Sequence, residues 1–350
     1  MPQDPVYLDR NENNFGPAPA CFDILKNAGV PTLSTYSRAF TRGAKNVLSE
    51  RLSREFSVPE AQILLGYGAE DLLKQAVRCY LLRGEKLMIP AYSWWYYKAI
   101  ADEVGGTNVE YPIIKETDAF AFDPKGFLEA YRRERPRVVF FASPNNPTGN
   151  SIPLHELTSL LGQVRDSVVV LDEAYVYNDE KAHVRELIAL HPRMMVIRTF
   201  SKYYALAGLR IGYAVCGTLL GEIAKYNTLY LGFNRLSEEV ALAALDSPGY
   251  YRSIARTMEE EKGRYDRALG RIPGYTVFRS DANFILMEIP PEAMAPLKEF
   301  LDARGLIIKF MKEPQLHSHV RITLGTPEQN TRVIDAVMEF VAGRPDGGGG

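Results

Sequence analysis

Val138-Val139-Phe140-Phe141-Ala142-Ser143-Pro144-Asn145-Asn146-Pro147-Thr148-Gly149 holds the plan of the chain in twelve residues. Five apolar residues run without a polar break and then give way to a turn of proline, asparagine and glycine. An unbroken β-branched and aromatic run of this length reads as a strand buried on both faces. The same unit recurs on either side. Downstream, Leu154 to Val164 has helical spacing, Val168 to Leu171 is a second apolar run, and Met194 to Ile197 is a third. Upstream, strands at Ile63 to Leu65, Lys86 to Ile89 and Asn108 to Tyr111 alternate with helices at Val47 to Phe56, Ser93 to Glu103 and Pro124 to Arg132. With a further strand at Ile211 to Val215, this alternation predicts an α/β domain built on a mainly parallel sheet with both faces covered. Ligands of such sheets bind beyond the carboxyl ends of the strands. Every polar motif in this half follows a strand.

The last third differs. Helices at Leu219 to Asn227, Ser237 to Leu245 and Tyr250 to Leu269 precede short strands at Thr276 to Phe278, Asn283 to Met287, Leu306 to Lys309 and Val320 to Leu324. Helices near Met294 to Ala303 and Pro327 to Val341 alternate with those strands, which suggests a smaller α+β domain. The expected organisation is an N-terminal arm over 1–35, a large domain over 36–235, a small domain over 236–343 and a flexible tail over 344–350. Within the arm, Leu8 to Pro19 carries too many turn-formers for a helix and reads as extended.

Composition narrows the function classes. Hydrophobic residues make up 46% and charged residues 24%, and Lys plus Arg (41) nearly balance Asp plus Glu (43), for a net charge of -2. That balance leaves no basic footprint for nucleic acid or an anionic membrane. Partners are expected to be small molecules or copies of the chain. Three scattered cysteines, Cys21, Cys79 and Cys216, support neither a disulfide framework nor a zinc site, and point to a reducing compartment. The polar start lacks the features of a signal peptide, and no apolar run approaches the ~20 residues of a membrane span, so a cytoplasmic location is expected.

Four strand ends carry candidate chemistry. After Met194 to Ile197 comes Thr199-Phe200-Ser201-Lys202, with Arg210 eight residues past the lysine. A desolvated lysine loses basicity and becomes nucleophilic enough to form a Schiff base with a carbonyl; a lysine reaching out from a loop is the alternative. Gly66-Tyr67-Gly68-Ala69-Glu70 links a strand to a helix start, a turn that lets an anion approach unpaired N–H groups. It is only half a dinucleotide fingerprint, because Asp71 occupies the third glycine position. Asn145 and Asn146 stand in a proline-rigid turn, and Asp172 ends its strand, where it could equally cap a helix. A phosphate cradle, an aromatic at Tyr92, an asparagine, an aspartate, a tyrosine and a lysine–arginine pair together suit a phosphorylated aromatic aldehyde, and pyridoxal 5′-phosphate fits.

The order of Gly68-Ala69-Glu70, Asn145-Asn146-Pro147-Thr148-Gly149, Asp172-Glu173-Ala174-Tyr175 and Ser201-Lys202 through Gly208-Leu209-Arg210 resembles that of fold-type I, class I/II aminotransferases. Within that group the chain is most similar to the histidinol-phosphate aminotransferases, from Asn11-Glu12-Asn13 to Arg321-Ile322-Thr323-Leu324-Gly325-Thr326. The resemblance implies an aspartate-aminotransferase-like large domain with a seven-stranded sheet. It implies that Lys202 forms the Schiff base and shuttles a proton, that Asp172 keeps the pyridine nitrogen protonated, and that Asn146 and Tyr175 bond the phenolic oxygen. Tyr92 would stack on the ring. Gly68, Ala69, Glu70, Thr199, Ser201 and Arg210 would hold the phosphate, with Tyr36 reaching that of a neighbouring subunit in a homodimer. Arg321, Lys309 and Asn13 would meet the substrate, and no metal is implied. The implied reaction is ping-pong transfer from histidinol phosphate to 2-oxoglutarate, in histidine biosynthesis. Aromatic or other amino acids are alternative donors, and a decarboxylase resembling the threonine-phosphate decarboxylases shares most of these motifs.

The chain departs from the family at two places. Gly305-Leu306-Ile307-Ile308-Lys309 has lysine where the family usually has arginine, a point charge in place of a planar fork. Val176-Tyr177-Asn178 replaces an apolar aromatic. Two further patterns are less specific. Trp94-Trp95-Tyr96-Tyr97 reads as helix-core packing or as the wall of an aromatic pocket, and His317-x-His319 has metal-like spacing but reads as a surface loop.

Overall fold

A computed structural model describes residues 4–178, 180–225, 227 and 231–343. The expected tail over 344–350 lies outside the described residues. The larger of its sheets has seven strands, in the spatial order Ile63–Gly66, Gly212–Cys216, Met194–Thr199, Val168–Asp172, Val138–Ala142, Lys86–Pro90 and Thr107–Tyr111. Gly212–Cys216 runs antiparallel to both neighbours, and the other adjacent pairs are parallel. Alternate residues of the central strands feed two cores. Val139, Phe141, Val169, Leu171 and Val196 point to one, and Val138, Phe140, Val168, Val170 and Ile197 to the other. A two-residue period with both faces buried is why these runs contain no polar position.

The second sheet has five strands, ordered Val6–Leu8, Leu306–Phe310, His319–Thr323, Phe284–Glu288 and Thr276–Phe278. Its edge strand comes from the beginning of the chain: Val6–Leu8 pairs in parallel with Leu306–Phe310. The following extended segment is pinned to the same sheet, with the Asn11 N–H donating to Thr323 Oγ1 at 2.9 Å and Asn283 Nδ2 donating to the Asn11 carbonyl at 3.0 Å. These bonds lay residues 9–12 across the carboxyl edge of the larger sheet.

Several expectations are corrected. The stretch read as an arm contains helices Pro19–Asn27 and Val30–Ser34, the first packed on Arg235–Leu245. Pro19 starts the helix because the first turn has no use for its missing N–H. A hairpin of Ile113–Lys115 with Phe120–Phe122 and a helix over Ala182–Leu190 were not anticipated. The helix expected over 219–227 is a 3₁₀ turn at Gly221–Lys225, with residue 226 outside the described residues. Ser93 to Glu103 is helical only from Tyr96. His319 is a buried strand residue stacked on Phe278 at 5.7 Å and not part of a surface loop, and no metal-binding cluster occurs among the described residues. No helix among them is long and apolar enough to cross a membrane.

Candidate active site

Six strands of the larger sheet present their carboxyl ends along one edge, and residues that follow five of them line a cavity of about 670 Å³. Strand order therefore sets site order. Ala69 and Glu70 stand at one end, Arg210, Thr199, Ser201 and Lys202 come next, Asp172 and Tyr175 follow, and Asn146 and Trp94 close the row. Arg321 and Lys309 enter from the smaller sheet, where adjacent antiparallel strands hold them in register.

The anion end is built by close backbone approach. Gly68 caps the helix Ala69–Tyr80 at φ +88°, and a Cβ there would come within 2.7 Å of Arg210 Nη2. A Cβ on Gly212 would lie 2.5 Å from the Gly68 carbonyl carbon and 2.7 Å from the Ala69 nitrogen. Both positions exclude a side chain, and the turn leaves the first N–H groups of the helix open to an anion. The Arg210 guanidinium donates to Ser201 Oγ at 3.4 Å, and Thr199 Oγ1 donates to the same oxygen at 3.0 Å.

Lys202 Nζ donates to the Arg10 carbonyl at 3.0 Å and lies 5.4 Å from the Tyr175 ring. Crowding by protein atoms pushes its pKa from 10.5 down to about 8; the nearby Arg321 and Arg210 push in the same direction and Glu12 opposes them. Asp172 is buried, which drives its carboxyl above the usual range, while two donors favour the charged form: Tyr97 O–H to Oδ2 at 2.6 Å and Ala174 N–H to Oδ1 at 2.9 Å. The Tyr175 hydroxyl receives Asn146 Nδ2 at 3.0 Å and Asn11 Nδ2 at 3.2 Å. Burial raises the Tyr175 pKa and Arg321 opposes the rise. Arg321 donates to Asn146 Oδ1 and, at 2.7 Å, to the Asp9 carbonyl, while its buried Nε has no partner. Burial lowers its pKa.

Two side chains expected here, those of Tyr92 and Asn13, do not line this cavity. Tyr92 has a left-handed backbone, φ +54°, and its ring lies against Phe120 at 5.6 Å; the aromatics lining the cavity are Trp94, Trp95 and Tyr175. Asn13 is buried in its own turn, donating to the Tyr203 carbonyl at 3.1 Å and accepting from the Phe15 N–H, so it is Asn11 that faces the site. Tyr36, expected to reach a neighbouring subunit and not this cavity, is 69% exposed and lines a separate hollow with Arg38 and Arg235. Of the two departures, Lys309 lines the cavity, whereas Val176, Tyr177 and Asn178 line a different one of about 810 Å³ beside Glu173 and His183. Sequence reasoning missed Tyr97 and Asn11 as site residues; the aromatic cluster and the asparagine pair were visible, their targets were not.

Residues 8–337 match the family described as aminotransferase class I and II, and the chain belongs to that family. It is thus an aminotransferase of the α/β fold-type I class with pyridoxal 5′-phosphate as cofactor. Among curated relatives, the histidinol-phosphate aminotransferase of Ruminiclostridium cellulolyticum is 31% identical over 333 residues, 94% of this chain and 91% of the relative. Histidinol-phosphate aminotransferase 2 of Archaeoglobus fulgidus is 31% identical over 338 residues, 96% and 93% of the two chains. The structure of histidinol-phosphate aminotransferase from Sinorhizobium meliloti, in complex with pyridoxal-5′-phosphate, superposes with a TM-score of 0.83 at 24% identity, covering 97% of this chain and 92% of that one. L-threonine-O-3-phosphate decarboxylase from Porphyromonas gingivalis shares the fold at a TM-score of 0.80 and 22% identity, covering 96% and 99%. The residues fit the cofactor: the glycine-walled anion turn, the buried carboxylate and the weakly basic lysine are what its phosphate, ring nitrogen and aldehyde require.

Proposed function

We propose that the chain transfers the amino group of histidinol phosphate to 2-oxoglutarate in two half-reactions at this one cavity. The observation that carries the reading is the cationic pair Arg321 and Lys309, in register on adjacent strands and facing the cavity that holds Lys202. Histidinol phosphate presents a phosphate and 2-oxoglutarate a second carboxylate, so one cationic pair can seat each substrate in turn. The names of the relatives that are 31% identical support the same donor.

Bound pyridoxal phosphate supplies an aldehyde for the donor's amine and a protonated ring that draws charge from the reacting carbon. The chain does the rest. Helix N–H groups at Ala69 and Glu70, with Ser201 and Arg210, hold a phosphate. Asp172, kept ionised, retains a proton on a ring nitrogen. Asn146 and Tyr175 donate to an oxygen on the ring. Trp95, 62% exposed yet lining the cavity, can cover a ring face. Lys202, with its pKa near 8, accepts a proton at Nζ and returns it at neighbouring positions.

A shared site in a homodimer belongs to this reading: Tyr36, Phe40 and Leu33 are exposed apolar side chains of one region, suited to covering by a second copy. So do a cytoplasmic location and a place in histidine biosynthesis. The test is glutamate formation from 2-oxoglutarate with histidinol phosphate as donor, alongside sedimentation to count subunits. Lys309→Ala should raise KM for histidinol phosphate by about tenfold, one lost charge-assisted contact, with little change in kcat. Glutamate with aromatic amino acids but not with histidinol phosphate would overturn the donor. CO2 release from a phosphorylated amino acid without any keto acid would select the decarboxylase.

A further inference from the structure

Tyr97 sits in the aromatic run Trp94 to Tyr97, and core packing accounts for its ring but not for its hydroxyl. The side chain is 3% exposed, on the helix Tyr96–Glu103, with its ring edge-on to Phe140 at 5.2 Å and to Trp94 at 5.9 Å. Phenylalanine would fill that space. The hydroxyl instead donates to Asp172 Oδ2 at 2.6 Å, the short end of the range for an oxygen donor on a carboxylate. Nearby Tyr111, just as buried, bonds only the Phe140 carbonyl at 3.2 Å, so a buried hydroxyl here does not need a carboxylate for satisfaction.

We propose that Tyr97 is a positioning residue for the reaction: its hydroxyl keeps the Asp172 carboxylate ionised and fixed in orientation for the ring nitrogen of the cofactor. The inference rests on the assignment of this cavity to pyridoxal phosphate. Asp172 has two oxygens and two protein donors, Tyr97 on one and the Ala174 N–H on the other, so the carboxylate plane cannot turn. Its charge has little other support. Glu173, the next residue, is of like sign, though it is held between His183 and Arg198, each 2.7 Å away. Lys202 and Arg321 line the same cavity, and Tyr175 follows on the same loop. With the hydroxyl removed, desolvation of Asp172 is opposed by the Ala174 N–H alone. The carboxyl then takes up a proton more readily, and a neutral acid no longer stabilises a protonated ring nitrogen.

The experiment measures the dissociation constant of pyridoxal phosphate for the full chain by quenching of the Trp94 and Trp95 fluorescence between pH 5 and 9. Wild type, Tyr97→Phe, Asp172→Asn and the double variant are compared. The hydrogen bond is to a charged group, so Tyr97→Phe should weaken binding about tenfold at the acidic end. The deficit should narrow as pH rises, because the variant's carboxylate then ionises unaided. In the Asp172→Asn background, Tyr97→Phe should change nothing. A deficit equal at every pH, or one that persists in the double variant relative to Asp172→Asn alone, would mean that Tyr97 only packs, and would overturn the inference. Should the wild type bind no pyridoxal phosphate, or Asp172→Asn bind as tightly as wild type, the assignment of the cavity fails. If those two behave as expected and Tyr97→Phe matches wild type, the role of Tyr97 alone fails.

Discussion

Replacing Lys202 by methionine should make the cofactor-free protein more stable at neutral pH. The side chain keeps its length and loses its charge. In the folded chain, crowding by protein atoms and the neighbouring Arg321 and Arg210 take the lysine from 10.5 to about 8. At roughly 1.4 kcal/mol per pH unit, holding the ammonium there costs about 3 kcal/mol wherever lysine is charged in both folded and unfolded chains. Water in the open cavity screens part of that. The hydrogen bond from Nζ to the Arg10 carbonyl, 3.0 Å long and worth about 1 kcal/mol net, is also lost. The net expectation is a gain of ~1–2 kcal/mol for Lys202→Met at pH 7. Because the folded pKa lies below the unfolded one, the unfolded chain holds more protons between about 8 and 10.5, and wild type regains stability as pH rises through that window. The variant's advantage should be complete below pH 8 and gone by about 10.5. Urea denaturation of both cofactor-free proteins at pH 7, 8.5 and 10 reads this directly. A variant less stable than wild type at pH 7, or an advantage that does not change with pH, would refute the account of Lys202 as a strained cation.

Two other substitutions test the frame around the site. Gly212→Ala drives a methyl group into the backbone of Gly68 and Ala69, so the anion turn must shift; overpacking of this kind costs ~1–3 kcal/mol. The preference for pyridoxal phosphate over unphosphorylated pyridoxal, measured as a ratio of dissociation constants, should shrink, and an unchanged ratio would mean that the turn does not hold the phosphate. Glu173→Gln removes the counter-charge of buried Arg198 and the carboxylate that meets His183 Nε2. Destabilisation by ~3–5 kcal/mol is expected in thermal denaturation, with recovery when Arg198→Met is added, because an unpaired buried charge and not a lost contact is the cause.

How much of this was legible in the chain follows from where each contact lies. Strands such as Val138–Ala142 and Val168–Asp172 were plain because both faces are buried, so each residue had to be apolar whichever core it entered. The polar groups at their ends were plain for a related reason, since the turn that carries Asn146 or Lys202 directly follows its strand. Tyr97 was not, because its hydroxyl meets a carboxylate 75 positions away, nor was Asn11, whose amide meets Tyr175 across 164 positions. Tyr92 misled because it follows a strand in the right place, while its ring packs on Phe120, a contact that its position in the sequence does not reveal. Pro19 misled because a proline that begins a helix looks, in sequence, like one that ends a loop.

Burial works on Asp172 and Lys202 in the same sense, toward the neutral form, yet the chemistry asks opposite things of them. A ring proton needs a charged carboxylate, whereas capture of an aldehyde and acceptance of a proton need an uncharged amine. The surroundings decide the matter. Asp172 receives two donors that favour its charge, while Lys202 has a single carbonyl acceptor and shares its cavity with the cations Arg321 and Arg210. Arg321 thereby has a second effect besides its proposed one of meeting an anion. An anionic substrate seated on it would cancel part of its push on Lys202, so the amine would gain basicity when a donor arrives, at the stage when it must take a proton. Arg321 can act in both ways only because the smaller sheet delivers it to the same edge where the larger sheet ends.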